Sequence, residues 1–154
     1  MTQLKEGTNA PAFNGIDQDG NQVSLNDFSG KKLILYFYPK DNTQGCTAEA
    51  CNLRDNYEIL LNKGFAIVGV SPDNEKSHKG FAARYSLPFH IIADTSKKIL
   101  NDYGVWGEKK LYGKTYLGVL RTTFVIDEKG VIEKIINKVD TASHTEQILN
   151  LYNQ

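Results

Sequence analysis

Cysteine is scarce in this 154-residue chain: Cys46 and Cys51 are the only two. So few thiols exclude a scaffold built on disulfides, and in a reducing compartment they point to redox or catalytic use. No sign of charge prevails, since 18 Lys and Arg balance 18 Asp and Glu. That balance leaves no electrostatic footprint for nucleic acid or for an anionic membrane surface. Long hydrophobic runs are missing, none approaching the roughly 18 apolar residues of a membrane span. The segment Met1-Thr2-Gln3-Leu4-Lys5-Glu6-Gly7 also lacks the apolar centre of a secretory leader. The expectation is a cytoplasmic protein that binds neither nucleic acid nor membrane and works on small neutral partners.

Metal and cofactor signatures are equally thin. His78, His90 and His144 are scattered, and no second cysteine pair joins the Cys-x4-Cys unit, which argues against a zinc site. Asp17-x-Asp19-Gly20-Asn21 lacks the ligand series and closing glutamate of a calcium loop and reads as a hairpin turn. Ser29-Gly30-Lys31-Lys32 is too short for a phosphate loop, and no glycine fingerprint follows a strand. No metal and no bound cofactor is expected.

What is present alternates between strands and helices within a length that suits one domain, residues 1–154. Ala12-Phe13 and Gln22-Val23 flank the Asp17–Asn21 turn as an N-terminal hairpin, and Ser24 caps a short turn through Leu25 to Phe28. Leu33 to Tyr38 reads as a buried strand, about Thr47 to Asn62 as a helix stopped by Gly64, and Phe65 to Val70 as a second buried strand. An exposed helix over Asn74 to Tyr85, a strand over Phe89 to Ala93 and a helix over Ser96 to Tyr103 follow. Gly104 to Gly113, which holds the only tryptophan, reads as a long glycine-rich loop. Arg121 to Ile126 and Val131 to Ile136 flank Asp127-Glu128-Lys129-Gly130 as an antiparallel hairpin, and Ser143 or Thr145 opens a last helix.

The most informative stretch is Pro39-Lys40-Asp41-Asn42-Thr43-Gln44-Gly45-Cys46, which leaves the apolar strand and leads into the next helix. A thiol at a helix start meets unpaired backbone N–H groups and the positive end of the helix dipole. Cysteines so placed are favoured as thiolates, the nucleophilic form.

Strand, cysteine at the helix start, second β-α-β crossover and terminal hairpin together describe an α/β protein with a thioredoxin-like fold: a central mixed sheet flanked by helices, with an N-terminal hairpin extension. Pro39-x-x-x-Thr43-x-x-Cys46 resembles the active-site signature of peroxiredoxins. Glu49, Cys51, Arg54 and Asp55 extend the match in the manner of the bacterioferritin-comigratory, or peroxiredoxin Q, branch. Tyr103-Gly104-Val105-Trp106-Gly107-Glu108-Lys109 and Arg121-Thr122-Thr123-Phe124-Val125-Ile126-Asp127 are similar to the same branch. Gln44 departs from the pattern, standing where many members carry proline.

The resemblance implies a thiol peroxidase that reduces hydrogen peroxide and organic hydroperoxides, works as a monomer and is recycled by a thioredoxin-type reductant. Cys46 would be the peroxidatic nucleophile, becoming a sulfenic acid. Thr43, the backbone N–H groups of Gly45 and Cys46, and Arg121 would bind the peroxide and the charge on its leaving oxygen. Pro39 would shield the thiol, and Glu49 would orient Arg121. Cys51 would be the resolving cysteine, closing a Cys46–Cys51 disulfide. Five residues along an α-helix separate two Cα atoms by about 8.6 Å, whereas a disulfide needs about 4.4–6.8 Å. The helix must therefore unwind locally, leaving an exposed, readily reduced bond. A different class of reading, a non-enzymatic redox sensor built on the same couple, is separated from the peroxidase by turnover. A general disulfide oxidoreductase is disfavoured because Cys-x-x-Cys is absent.

Overall fold

The computed structural model describes residues 1–152. An N-terminal hairpin pairs β1 (Asn14–Ile16) with β2 (Gln22–Ser24), and a 3-10 turn follows over Leu25–Phe28. The main elements are β3 (Lys32–Phe37), α1 (Gln44–Asp55), α2 (Tyr57–Asn62), β4 (Phe65–Ser71), α3 (Glu75–Tyr85), β5 (His90–Ala93) and α4 (Lys98–Asp102). They continue with β6 (Trp106–Leu111), β7 (Lys114–Val119), β8 (Thr122–Ile126), β9 (Ile132–Ile136) and α5 (His144–Asn150). Five strands form one mixed sheet in the order β5-β4-β3-β8-β9, with β3, β4 and β5 parallel and β8 and β9 antiparallel to their neighbours.

Strand β3 explains how the layers form. Its Leu-Ile-Leu-Tyr-Phe run is buried throughout, as expected of a central strand covered on both faces. Alternation sends Leu33, Leu35 and Phe37 to one core, with Val68, Val70, Ile99, Leu100, Tyr103 and Phe124. Ile34 and Tyr36 go to the other, with Cys46, Ala50, Leu53, Leu60, Phe81, Val125 and Ile148. The hairpin, the 3-10 turn and α4 thus cover one face, while α1, α2, α3 and α5 cover the face that carries the thiol.

Both lateral edges of the sheet are occupied. Along β9, Gly7 N–H donates to Ile132 O (2.7 Å) and Ile132 N–H to Thr8 O (2.8 Å), and Ala10 N–H donates to Gly130 O (2.9 Å). Along β5, the Gln18 side chain imitates a strand: its Nε2 donates to Phe89 O and its Oε1 accepts from Ile91 N–H, both at 2.9 Å. Strand β1 crosses so close to β5 that a Cβ on Gly15 would collide with Ile92, which leaves room only for glycine.

Several expectations need correction. The expected single helix from Thr47 to Asn62 begins three residues earlier, at Gln44, and is divided at Asn56. There Asn56 caps the first helix, its backbone N–H (3.2 Å) and its side-chain Nδ2 (2.8 Å) both donating to Asn52 O. The expected loop over Gly104–Gly113 is mostly strand β6, which pairs with β7 from Trp106↔Val119 to Leu111↔Lys114. Helix α3 is not exposed all round, since it buries His78 and Phe81. The first strand starts at Asn14 rather than Ala12.

Candidate active site

Cys46 is the third residue of α1 and is buried, and Cys51, the eighth, is half-buried; both are free. Thr43 is the N-cap residue, with extended backbone. The first amides of the helix have no carbonyl four residues back, so the N–H groups of Gly45 and Cys46 remain available beside the sulfur. The expected helix begins only at about Thr47, after Cys46, whereas the earlier start of α1 places both cysteines on one helix.

Arg121, immediately before β8, brings the site together. Its Nη2 donates to Cys46 Sγ at 3.3 Å and its Nη1 to Glu49 Oε1 at 2.8 Å. Burial disfavours the guanidinium charge, but Cys46 and Glu49 outweigh that and raise its pKa above the ordinary value. Gly45 lies against the same group: a Cβ there would stand 3.3 Å from Arg121 Nη2, tight enough to displace it.

Glu49 is fully buried three residues past the cysteine. Burial pushes its carboxyl up from 4.5 to about 7, with Arg121 pulling the other way. Lys109, on β6, also reaches this neighbourhood; burial lowers its pKa and the Arg121 charge lowers it further, while Cys46 opposes. An open cleft of about 530 Å³ beside Arg121 is lined by Lys109, Leu120, Thr122, Lys138 and Val139, mixing two cations with apolar wall.

Two predicted residues behave differently from expectation or add little. The Thr43 hydroxyl donates to Lys40 O (2.8 Å), so its proton is engaged within the loop; a peroxide would have to displace that bond to receive it. Pro39 is half-buried at the end of β3. Gly45, Cys46, Glu49 and Arg121 therefore converge, with Thr43 at the start of the same helix and Cys51 further along it.

Sequence reasoning passed over the supports of this loop. Asp41 is buried and accepts from Tyr38 Oη (2.7 Å) and Ser77 Oγ (2.8 Å), while His78 Nδ1 stands 2.6 Å from its Oδ2. Its backbone N–H donates to Asp73 Oδ2 (2.8 Å). Asp41, Asp73 and His78 could be read as a metal cluster, but their facing atoms already satisfy one another and Ser71, Ser77 and Tyr38. The network ties the loop between β3 and α1 to α3. An Asp five residues before a cysteine and a His four residues into a later helix gave no local signal of pairing.

The AhpC/TSA family model matches residues 7–135. The chain is 43% identical over 150 residues to Peroxiredoxin Bcp of Escherichia coli (strain K12), covering 97% of this chain and 96% of that protein. It is 42% identical over 146 residues to a putative peroxiredoxin bcp of Coxiella burnetii, covering 95% and 97%. Among solved structures, peroxiredoxin Q of Xanthomonas campestris superposes with a TM-score of 0.86 at 31% identity, over 99% of this chain and 96% of that one. The Xanthomonas campestris bacterioferritin comigratory protein, described for its alkyl peroxide reduction activity, does so with a TM-score of 0.86 at 30% identity, over 99% and 98%.

Proposed function

The chain belongs to the AhpC/TSA family, in its Bcp or peroxiredoxin Q branch, and is a thiol-dependent peroxidase; from that premise we propose that Cys46 is its peroxidatic and Cys51 its resolving cysteine. The contact between Arg121 Nη2 and Cys46 Sγ carries the assignment. A guanidinium 3.3 Å from sulfur is placed to pair with the attacking anion and with the charge that appears on the leaving oxygen.

The thiolate attacks the terminal peroxide oxygen. A sulfur–oxygen bond forms as the oxygen–oxygen bond breaks, giving Cys46 sulfenic acid and, after one proton is taken up, water or an alcohol. The N–H groups of Gly45 and Cys46 and the Arg121 fork hold the oxygens, and Glu49 fixes the fork through its 2.8 Å ion pair. Cys51 then attacks the sulfenic sulfur, releasing water and forming the disulfide. Their helical separation requires the first turns of α1 to open. A thioredoxin-type dithiol returns two electrons through a mixed disulfide, which an exposed bond permits. The cleft beside Arg121, apolar in part, suits small organic hydroperoxides as well as hydrogen peroxide.

The protein acts as a monomer in the cytoplasm and as one domain. The covered sheet edges support the first, the free thiols the second and the single central sheet the third. Among the described residues, no helix is long and apolar enough to cross a membrane.

Peroxide consumption coupled to thioredoxin and its reductase tests the assignment. Cys46→Ser is expected to abolish it, while Cys51→Ser reacts once per site without turnover. Full turnover by either variant would overturn the assigned role of the residue replaced.

A further inference from the structure

The outer half of the β6–β7 hairpin presents apolar side chains that neither core takes up. Its base is fixed, with Val119 buried in one core and Trp106 packed against it. Among the described residues the two strands pair only with each other, and a two-stranded ribbon is marginal in water unless something covers it. Leu111, Tyr112, Tyr116 and Leu117 are all exposed, Tyr112 at 96%. Pairing of Lys109 with Tyr116 and of Leu111 with Lys114 puts these four on one face. Pairing of Glu108 with Leu117 and of Lys110 with Thr115 puts those on the other. Apolar and cationic side chains thus stand on both faces of the tip.

The turn that joins the strands is built against its own backbone preference. Tyr112 (φ 51°) and Gly113 (φ 77°) both lie in the left-handed region, as a two-residue hairpin turn requires. Glycine adopts that conformation freely, but a bulky side chain is strained in it, and asparagine is the usual residue at the first position. Nothing within the fold offsets the strain, because the tyrosine ring packs on no core. Lysines along an open strand edge guard against pairing with another chain, which accounts for Lys110 and Lys114 but not for an aromatic ring at the apex.

Charge narrows the choice of occupant. Three lysines against one glutamate leave residues 106–119 at +2, and since the formal charge of the whole chain is zero the remainder carries −2. The overall balance, which gave no reason to expect a membrane, conceals this separation. A protein groove would cover one face of the hairpin and leave the apolar side chains of the other in water. A second copy meeting tip to tip would set lysines against lysines. The headgroup boundary of a bilayer surrounds an inserted tip, taking apolar side chains from both faces while lysine stems extend back to the phosphates.

We propose that the β6–β7 tip docks the protein on an anionic lipid surface, with Leu111, Tyr112 and Leu117 entering the headgroup boundary and Lys110 and Lys114 meeting the lipid phosphates. The contact is peripheral and reversible, since a few side chains and two or three lysines give only modest affinity. Lys109, about 10 Å of strand from the apex, lines the cleft beside Arg121. Docking through the tip therefore holds that cleft close to the bilayer while the domain stays in water.

Flotation of the reduced full-length protein with vesicles of phosphatidylcholine and phosphatidylglycerol in equal parts, against phosphatidylcholine alone, tests this. Binding is expected to the anionic vesicles and not to the neutral ones, and to fall about tenfold or more as salt rises from about 0.03 to 0.3 M. Tyr112→Asn combined with Leu117→Thr is expected to weaken it by at least about tenfold. Asn-Gly is the preferred pair for this turn, so the variant keeps its hairpin, and unchanged oxidation of Cys46 by one equivalent of hydrogen peroxide confirms the fold. Lys110→Gln with Lys114→Gln is expected to weaken binding and flatten its salt dependence. Tyr112→Trp should be quenched by brominated lipid, which adsorption by charge alone would not produce. No binding to anionic vesicles at low salt, or equal binding by Tyr112→Asn with Leu117→Thr, overturns the proposal. So does a wild-type dimer in light scattering that this variant returns to monomer, which would assign the tip to a second copy. Loss of thioredoxin-coupled turnover in the variant without any vesicle binding by the wild type overturns it in favour of a protein reductant. Vesicle binding is read without peroxide, so its failure leaves the role of Cys46 untouched.

Discussion

Arg121 Nη2 lies 3.3 Å from the sulfur of Cys46, although 75 residues separate the two in the chain. Strand β8 lies beside β3 in antiparallel register, Phe37 facing Thr122. The start of β8 and the loop after β3 are thereby brought to the same end of the sheet. Sheet pairing, rather than any local motif, places the cation on the nucleophile.

Arg121→Met should lower the second-order rate constant for Cys46 oxidation by about 10²–10³, the usual cost of losing a charge-stabilising donor. Arg121→Lys should recover only part, because an ammonium cannot give separate N–H groups to Glu49 and to sulfur in the fixed geometry of a fork. Rapid-mixing measurement of peroxide reactivity checks both. A loss of less than about tenfold in Arg121→Met would contradict the role assigned to this contact.

Glu49 and His144 should impose opposite pH dependences on stability. Burial holds the Glu49 carboxyl at about 7 in the fold, against an ordinary 4.5, so its contribution is full below 4.5 and is lost as pH rises through about 7. Burial holds the His144 imidazole at about 4, against an ordinary 6.5, so its contribution is full above 6.5 and is lost as pH falls through about 4. Each is worth on the order of 3 kcal/mol, and in the wild type the two slopes largely cancel. Denaturant unfolding across this range should show stability rising with pH in Glu49→Gln and falling with pH in His144→Gln. Parallel curves for both variants would refute the opposite shifts assigned to the two groups.

Asn52 follows Cys51 directly and fastens α1 to α5 through both atoms of its amide: Oδ1 accepts from Thr145 N–H (2.8 Å) and Nδ2 donates to Ala142 O (3.1 Å). Opening of α1 during disulfide formation should therefore stop at this point. Hydrogen exchange of the oxidised enzyme should show fast amides from Cys46 to Cys51 and retained protection over Leu53 to Asp55. Asn52→Ala removes two bonds, costs about 1–3 kcal/mol and should speed resolution, so that less Cys46 is overoxidised at a given peroxide concentration. Unchanged overoxidation in a variant that resolves faster would break that link.

Asp41→Ala leaves His78 facing a hole in a buried polar network. A loss of several kcal/mol is expected, because Tyr38, Ser77 and His78 each lose a buried hydrogen-bond partner at about 1–3 kcal/mol apiece. Peroxide reactivity should fall with it, because Asp41 anchors the loop that ends in the Thr43 cap. Thermal unfolding and the oxidation rate, measured together, check this; full stability in Asp41→Ala would rule out the anchoring role.

Legibility varied with how local each signal was. The continuous apolar run of β3 and the turn residues between β8 and β9 gave those strands directly. Strand β6 was hidden because Gly104, Gly107 and Gly113 look like loop chemistry, and Trp-Gly-Glu-Lys-Lys-Leu has no clean alternation. The division at Asn56 was invisible because the helical pattern of apolar residues continues through it. Cys46 was readable from its place at a helix start, while Thr43 and Glu49, within the same seven residues, took their roles from family resemblance. Arg121 was reachable only through family resemblance, while Asp41, His78 and His144 gave no sequence signal, since each acquires its meaning from a partner on another element.

The occupied sheet edges bear on what happens when α1 opens. A protein that melts part of its core helix in every catalytic cycle repeatedly exposes apolar surface, the usual prelude to aggregation. Growth of an ordered aggregate also needs a free row of strand amides and carbonyls to copy. Here the Gln18 amide and the segment from Gly7 to Ala10 seal both margins, and neither belongs to the helix that moves. The oxidised enzyme can therefore open α1 while the central sheet keeps its margins covered, which separates the flexibility that turnover demands from the hazard of pairing through that sheet.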